Sequence, residues 1–156
     1  PVLTFSRTKS VGSELTLPVD TNDKILLNHY LLIHAESVGR ALRKMGVRAR
    51  TVTLKIKQDD FSGITRSSTM VHPSQSTETI YNEAEKLLTA YRMIKKIRLI
   101  GIEASNLASV ATPVQMDLFT NRIRKSHNWE KLDRILDNIT KKYGRSAVKR
   151  ATLSEF

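Results

Sequence analysis

From Thr51 to Lys57 the chain alternates without a break. Val52, Leu54 and Ile56 point one way, and Thr51, Thr53, Lys55 and Lys57 point the other. Side chains of a strand project to opposite faces with a period of two, so this segment is half-buried: one face joins a core and the other meets water or a ligand. A helix cannot use the pattern. Any fold for this chain must therefore supply a sheet with one covered face and one open, cationic face.

The neighbouring segments show what covers it. Thr21, Asn22 and Asp23 are all fitting N-caps. After them Leu27, Tyr30, Leu31, His34, Val38, Ala41, Leu42 and Met45 recur at the spacing of one helix face. Arg40, Arg43 and Lys44 suit the negative end of that helix, and Gly46 is placed to stop it. Asp59, Asp60 and Gly63 mark a turn into a second strand, Ile64 to Val71, which pairs with the first as a hairpin and is closed by His72, Pro73 and Ser74. A second helix starts near Ser76 or Thr77 and aligns Ile80, Ala84, Leu87, Leu88 and Tyr91. Lys96 to Ser105 returns as a strand through Ile97, Leu99, Ile100 and Ile102. Phe5 to Thr16 reads as an extended segment that Pro18 ends.

The expected order is β-α-β-β-α-β, an α+β fold with a four-stranded sheet and two helices on one face. Beyond it, residues 108–114 have no periodicity and read as a linker. Leu132, Ile135, Leu136, Ile139 and Tyr143 predict a helical tail from Trp129 to Tyr143, with Gly144 as its stop. The expected division is 1–107 for the main domain, 108–128 for a linker and 129–156 for a C-terminal helix and tail.

Charge narrows the partners. With 26 Lys and Arg against 15 Asp and Glu in 156 residues, the net charge is +11, which favours polyanions and nucleic acid first. There is no cysteine, so disulfides, thiol catalysis and thiolate metal sites are excluded, and a reducing, cytoplasmic setting fits. No run approaches the roughly 20 apolar residues needed to span a bilayer, and membrane insertion is not expected. An N-terminus of Pro-Val-Leu-Thr, without Met, suggests a piece of a longer protein. No two of the four histidines have metal-site spacing on a helix, and none of the carboxylates forms the cluster that two-metal nucleotidyl transfer requires.

Several segments, in order, resemble the little finger domain of Y-family translesion DNA polymerases, especially the DinB or polymerase IV branch. They are Lys9-Ser10-Val11-Gly12 before Thr16 to Asp20; Val38-Gly39-Arg40 and Leu42-Arg43 leading to Arg50-Thr51-Val52-Thr53-Leu54-Lys55; Asp59-Asp60-Phe61 with Thr65-Arg66-Ser67; and Ile97-Arg98-Leu99-Ile100-Gly101-Ile102. The resemblance covers most of the chain, and its specificity lies in the colinear order. It implies a sheet that lies along duplex DNA and grips its backbone, with Lys9, Ser10, Gly12, Ser13, Thr65, Arg66, Ser67 and Ser68 as phosphate contacts beside Lys55 and Lys57. Hydroxyl, guanidinium and backbone N–H donors hold phosphates without reading sequence. Ser68, where some relatives carry a cation, and Glu14 weaken that grip.

Gln115-Met116-Asp117-Leu118-Phe119 is similar to the sliding-clamp-binding peptide that these polymerases carry after the little finger. Its Gln offers an amide to a polar pocket and its Leu-Phe pair offers apolar anchors; packing of Leu118 and Phe119 on their own domain is the alternative. The resemblance implies a DNA-binding and clamp-recruiting portion of a lesion-bypass polymerase involved in DNA repair. Such a portion is monomeric, nucleoid-associated and not itself an enzyme, and Mg2+ belongs to an upstream catalytic palm. A stand-alone nucleic-acid-binding or protein-interaction module is the competing expectation. An RNA-binding sheet would carry stacking aromatics, and none lies on Thr51 to Lys57 or Ile64 to Val71. Lesion preference, fidelity and the role of the tail are not written in these residues.

Overall fold

The computed structural model describes residues 8–111, 121–144 and 146–151, with the side chains of 121–127 excepted. The elements are β1 (Ser10–Thr21), α1 (Lys24–Met45), β2 (Val47–Gln58), β3 (Gly63–Ser74), α2 (Thr77–Ala90), β4 (Ile97–Ser109) and α3 (Asn121–Tyr143). The expected β-α-β-β-α-β order is present. All pairings are antiparallel, and the sheet runs β1-β4-β2-β3.

Local chemistry sets the helix ends. Asp23 caps α1 by accepting from the N–H of Ile25 at 2.8 Å, and Gly46, at φ 64°, ends it by donating its own N–H to Arg43 at 3.1 Å. Ser76 caps α2 through the N–H of Thr79. Both helices bury their apolar stripes on one face of the sheet. Leu27, Leu31, Val38 and Leu42 of α1, with Ile80, Ala84 and Leu88 of α2, meet Val52, Leu54 and Ile56 of β2 and Ile97, Ile100, Ile102 and Ala104 of β4. Each large aliphatic side chain buried this way contributes about 1.5–3 kcal/mol relative to exposure.

Several boundaries differ from expectation, and β3 runs on through His72 and Pro73 to Ser74. Pro18 does not end β1, because β1 is an edge strand and its register shifts between Thr16 and Thr21, where a missing N–H costs no ladder bond. β2 starts at Val47 rather than Thr51 and β4 continues to Ser109, because Val47 and Arg48 pair with Ser109 and Ala108 in the same register that the β2–β4 ladder keeps up to Lys57. The tail helix starts at Asn121 rather than Trp129.

α3 docks on the helical layer through its acids. Glu130 receives both Arg48 Nε and Nη2, at 3.3 and 3.0 Å. Asp137 takes Arg43 Nε at 2.5 Å and Arg40 at 3.4 Å. Asp133, with a side chain 3% exposed, accepts from Arg43 Nη1 at 3.2 Å and from the N–H of Thr77 at 2.8 Å. Arg150, beyond the helix, closes the cluster on Glu78 and Asp133. Burial pushes the Asp133 carboxyl up from the ordinary carboxylate range, against the opposing pull of the Thr77 N–H and the Arg43 and Arg150 guanidinium groups.

Candidate nucleic-acid interface

The sheet register decides which side chains share the face away from α1 and α2. Thr53 stands opposite Ser67 on one side and Glu103 on the other; Lys55 stands between Thr65 and Gly101, and Gly101 meets Glu14 of β1. Alternation then places Ser10, Gly12, Glu14 and Thr16 of β1 on this face. With them lie Leu99, Gly101, Glu103 and Ser105 of β4, Thr51, Thr53, Lys55 and Lys57 of β2, and Gly63, Thr65, Ser67 and Thr69 of β3. Gly12, Lys57, Thr65, Ser67 and Thr69 are exposed. A Cβ at Gly101 would lie 2.8 Å from the Ser13 carbonyl oxygen and 2.9 Å from Glu14 Cα, so glycine there lets β1 close onto β4.

Hydroxyls dominate this surface. Thr53 Oγ1 and Ser67 Oγ are 2.8 Å apart, and Thr51 Oγ1 and Thr69 Oγ1 are 3.3 Å apart, forming a rail across β2 and β3. Each hydroxyl can donate one hydrogen and still accept others, so the rail can re-orient toward a phosphate oxygen. β1 and β3 are the sheet edges, where alternate backbone N–H groups have no partner strand.

The face is less cationic than expected. Lys55 is ion-paired with Glu103, which holds the Glu103 carboxyl below its usual range, with the Ser10 hydroxyl adding to the effect. The same pair raises the Lys55 ammonium. With Glu14 on the neighbouring strand, two lysines face two glutamates. Lys57 has no acidic partner among the described residues.

Of the expected contacts, Ser10, Gly12, Lys55, Lys57, Thr65 and Ser67 come together on the open face, and Lys9 stands exposed just before β1. Three do not join them. Ser13 turns beneath α1, where its hydroxyl lies 2.9 Å from His34 Nδ1. Ser68 turns toward α2 and donates to Glu83 at 3.0 Å. Arg66 stands opposite Leu54 on the helical side of the edge strand β3, exposed, with Nη1 on the Thr65 carbonyl at 3.2 Å. Adjacent residues of a strand cannot share a face, so runs such as 65–68 always divide. Thr51, Thr53, Thr69 and Ser105 belong to the face and were legible from the same alternation. Gln115, Met116, Asp117, Leu118 and Phe119 lie outside the described residues.

His34 is 4% exposed; burial lowers its pKa from the ordinary histidine value, with Glu14 pulling the other way. It is a core histidine. Among the described residues no three His, Asp or Glu side chains gather as a metal set, and no described helix is long and apolar enough to cross a membrane.

Comparison with known proteins places this geometry. The family model described as the impB/mucB/samB family C-terminal domain matches residues 8–118. A DNA polymerase IV from Alkaliphilus oremlandii is 36% identical over 153 residues, covering 93% of this chain and 38% of that protein. One from Desulfatibacillum aliphaticivorans is 35% identical over 156 residues, covering 98% of this chain and 39% of that protein. The chain thus spans about two fifths of these relatives. Among solved structures, Dbh DNA polymerase in an insertion ternary complex shares the fold with a TM-score of 0.57 at 22% identity, over 64% of this chain and 29% of that one. The little finger domain of PolIV, solved in complex with the beta-clamp processivity factor, does so with a TM-score of 0.54 at 21% identity, over 71% of this chain and 99% of that one.

Proposed function

The chain belongs to the impB/mucB/samB family, of which it is a DinB-like C-terminal little finger domain, and from that premise we propose that it is the DNA-backbone-gripping and clamp-recruiting portion of a translesion DNA polymerase. The observation that carries this is the division of the sheet: one face is filled by the core, while the other stays open and is lined by hydroxyls with edge-strand N–H groups beside them. These donors suit the sugar-phosphate backbone of any sequence, as a polymerase that copies every template requires.

In this reading Ser10, Gly12, Thr51, Thr53, Thr65, Ser67 and Thr69 supply the neutral donors. Lys57 supplies charge on the face, and Lys9 supplies it from the edge. Arg66 lies on an edge strand, and its long side chain has the reach to swing past that edge. Ser13 and Ser68 act through packing instead. Gln115 to Phe119 is the segment that engages a sliding clamp, as the solved clamp complex of a PolIV little finger suggests. The functional division follows the expected one with its bounds moved to the observed elements: grip through Ser109, recruitment over 110–120, and the tail from Asn121. The relatives are polymerases, and nucleotidyl transfer with its Mg2+ ions belongs to a palm elsewhere in such a protein, in the cytoplasm on the nucleoid.

The test is duplex binding by fluorescence anisotropy. A Thr53→Val, Ser67→Ala variant removes the shorter of the rail's two hydroxyl pairs without touching the core. It should bind a primer-template several-fold more weakly than the unaltered chain, at an unchanged melting temperature; equal affinity would remove the open face from the interface.

A further inference from the structure

The open sheet face carries as many glutamates as lysines, so the net charge of +11 must be expressed elsewhere. α3 concentrates part of it. Every acid of this helix, Glu130, Asp133 and Asp137, is turned into the dock on α1, β2 and the start of α2, where Arg40, Arg43, Arg48 and Arg150 neutralise it. Outward on α3 lie Lys131, Arg134, Asn138, Lys141 and Lys142, all exposed, beside the exposed apolar Leu132, Ile135 and Tyr143. Lys131, Arg134 and Lys141 have no acidic partner among the described residues, while Lys142 lies over the Tyr143 ring.

An ordinary solvated helix face mixes signs, because pairs of opposite charge three or four residues apart stabilise it and like pairs destabilise it. This face keeps Lys131 beside Arg134 at the unfavourable spacing. An external counter-charge relieves that repulsion. The geometry also matches one polyanion well. Lys131 and Lys141 are separated by about 15 Å along the helix axis, and a DNA strand carries one phosphate per ~3.4 Å of axis, so roughly four phosphates pass beneath the span.

We propose that Lys131, Arg134 and Lys141 form a second binding site, for the phosphodiester backbone of nucleic acid, on the side of the domain opposite the open sheet face. It rests on the reading above only in taking DNA as the polyanion. The site grips a second stretch of backbone, either a continuation of the same molecule or a separate one, and it carries most of the salt dependence that the sheet, with its balanced charges, lacks.

The experiment measures duplex affinity from 50 to 300 mM salt for three forms of the full chain. These are the unaltered protein, Lys131→Gln/Arg134→Gln/Lys141→Gln, and the Thr53→Val/Ser67→Ala sheet variant. The α3 variant should lower the slope of log affinity against log salt by about 2 to 3, at ~0.9 per phosphate released. Its melting temperature should be unchanged, and Lys131→Arg/Lys141→Arg should keep the full slope. An unchanged slope in the Gln variant overturns the proposal, and so does displacement of DNA by polyglutamate at equal charge concentration, which would mark an acidic protein as the partner. If the sheet variant binds normally while the α3 variant does not, the sheet reading fails and this site stands. Bridging of two separately labelled short duplexes assigns the backbone to a second molecule; a gain seen only with long duplexes assigns it to the same one. Either supports the site.

Discussion

Asp133 of α3 accepts the backbone N–H of Thr77, the first residue of α2, at 2.8 Å, while the same carboxylate oxygen holds Arg43 at 3.2 Å. A helix from the end of the chain thus completes the start of another, using a negative charge at the positive pole of the α2 dipole. Removing one member of a buried ion pair leaves the other uncompensated, at about 3 kcal/mol or more, although Asp137 remains beside Arg43. We expect Asp133→Ala to lower unfolding stability by about 2–3 kcal/mol. Asp133→Asn, which keeps an acceptor for Thr77, should lose about half of that. Denaturant melts of both variants check it, and equal stability of all three forms would mean that the dock contributes nothing.

The Lys55–Glu103 pair makes an opposite kind of prediction. On a partly exposed surface the pair is worth no more than about 1 kcal/mol to stability, yet it occupies a cation on the open face of the sheet, the face proposed to meet DNA. Glu103→Gln should release Lys55 and remove a like charge from the phosphates. Duplex affinity should rise, and the salt slope should steepen by about 0.9 for the added contact. A weaker or unchanged complex would place Lys55 off the DNA path.

His34 predicts the pH dependence. Burial holds its folded pKa below the ordinary value of 6.5, so the unfolded chain binds a proton more readily than the folded one. The contribution of neutral His34 is therefore fully present above pH 6.5 and declines as pH falls through that value. Stability measured between pH 7.5 and 5.5 should fall for the unaltered chain, and the fall should be shallower for His34→Gln. Parallel pH profiles would exclude His34 as the source.

Clamp recruitment is tested by Leu118→Ala with Phe119→Ala. Pull-down by a sliding clamp should be lost, because the two apolar anchors carry most of the energy of such a small interface. The melting curve should not move. A marked loss of stability would show that the pair packs on its own domain instead.

Much of the architecture was legible because each signal was local. The alternation of Thr51 to Lys57, the stripe from Leu27 to Leu42 and the caps at Asp23, Gly46 and Ser76 each follow from a few neighbouring residues. The misplacements were non-local. Pro18 is tolerated because β1 lies at an edge, and strand order is what puts it there. Ser13 and Ser68 were grouped with the expected phosphate contacts because the resemblance carried over whole strand runs, although the strand period sends neighbours to opposite faces. The dock of α3 depends on acids meeting arginines on distant elements, a meeting that neither helix announces by itself.

Among the described strands β4 comes last in sequence, yet within the sheet it lies between β1 and β2 and joins β1 to the hairpin. Until Ile97 to Ser109 has been synthesised, β1 has nothing to pair with and the apolar sides of α1 and α2 have only half a floor. Assembly must therefore wait for nearly the whole domain and then occur as one long-range event, a topology that folds slowly for its size. A nascent chain arrested before residue 97 would keep β1 and the hairpin linked only through α1, with apolar surface left uncovered, a target for chaperones and proteases.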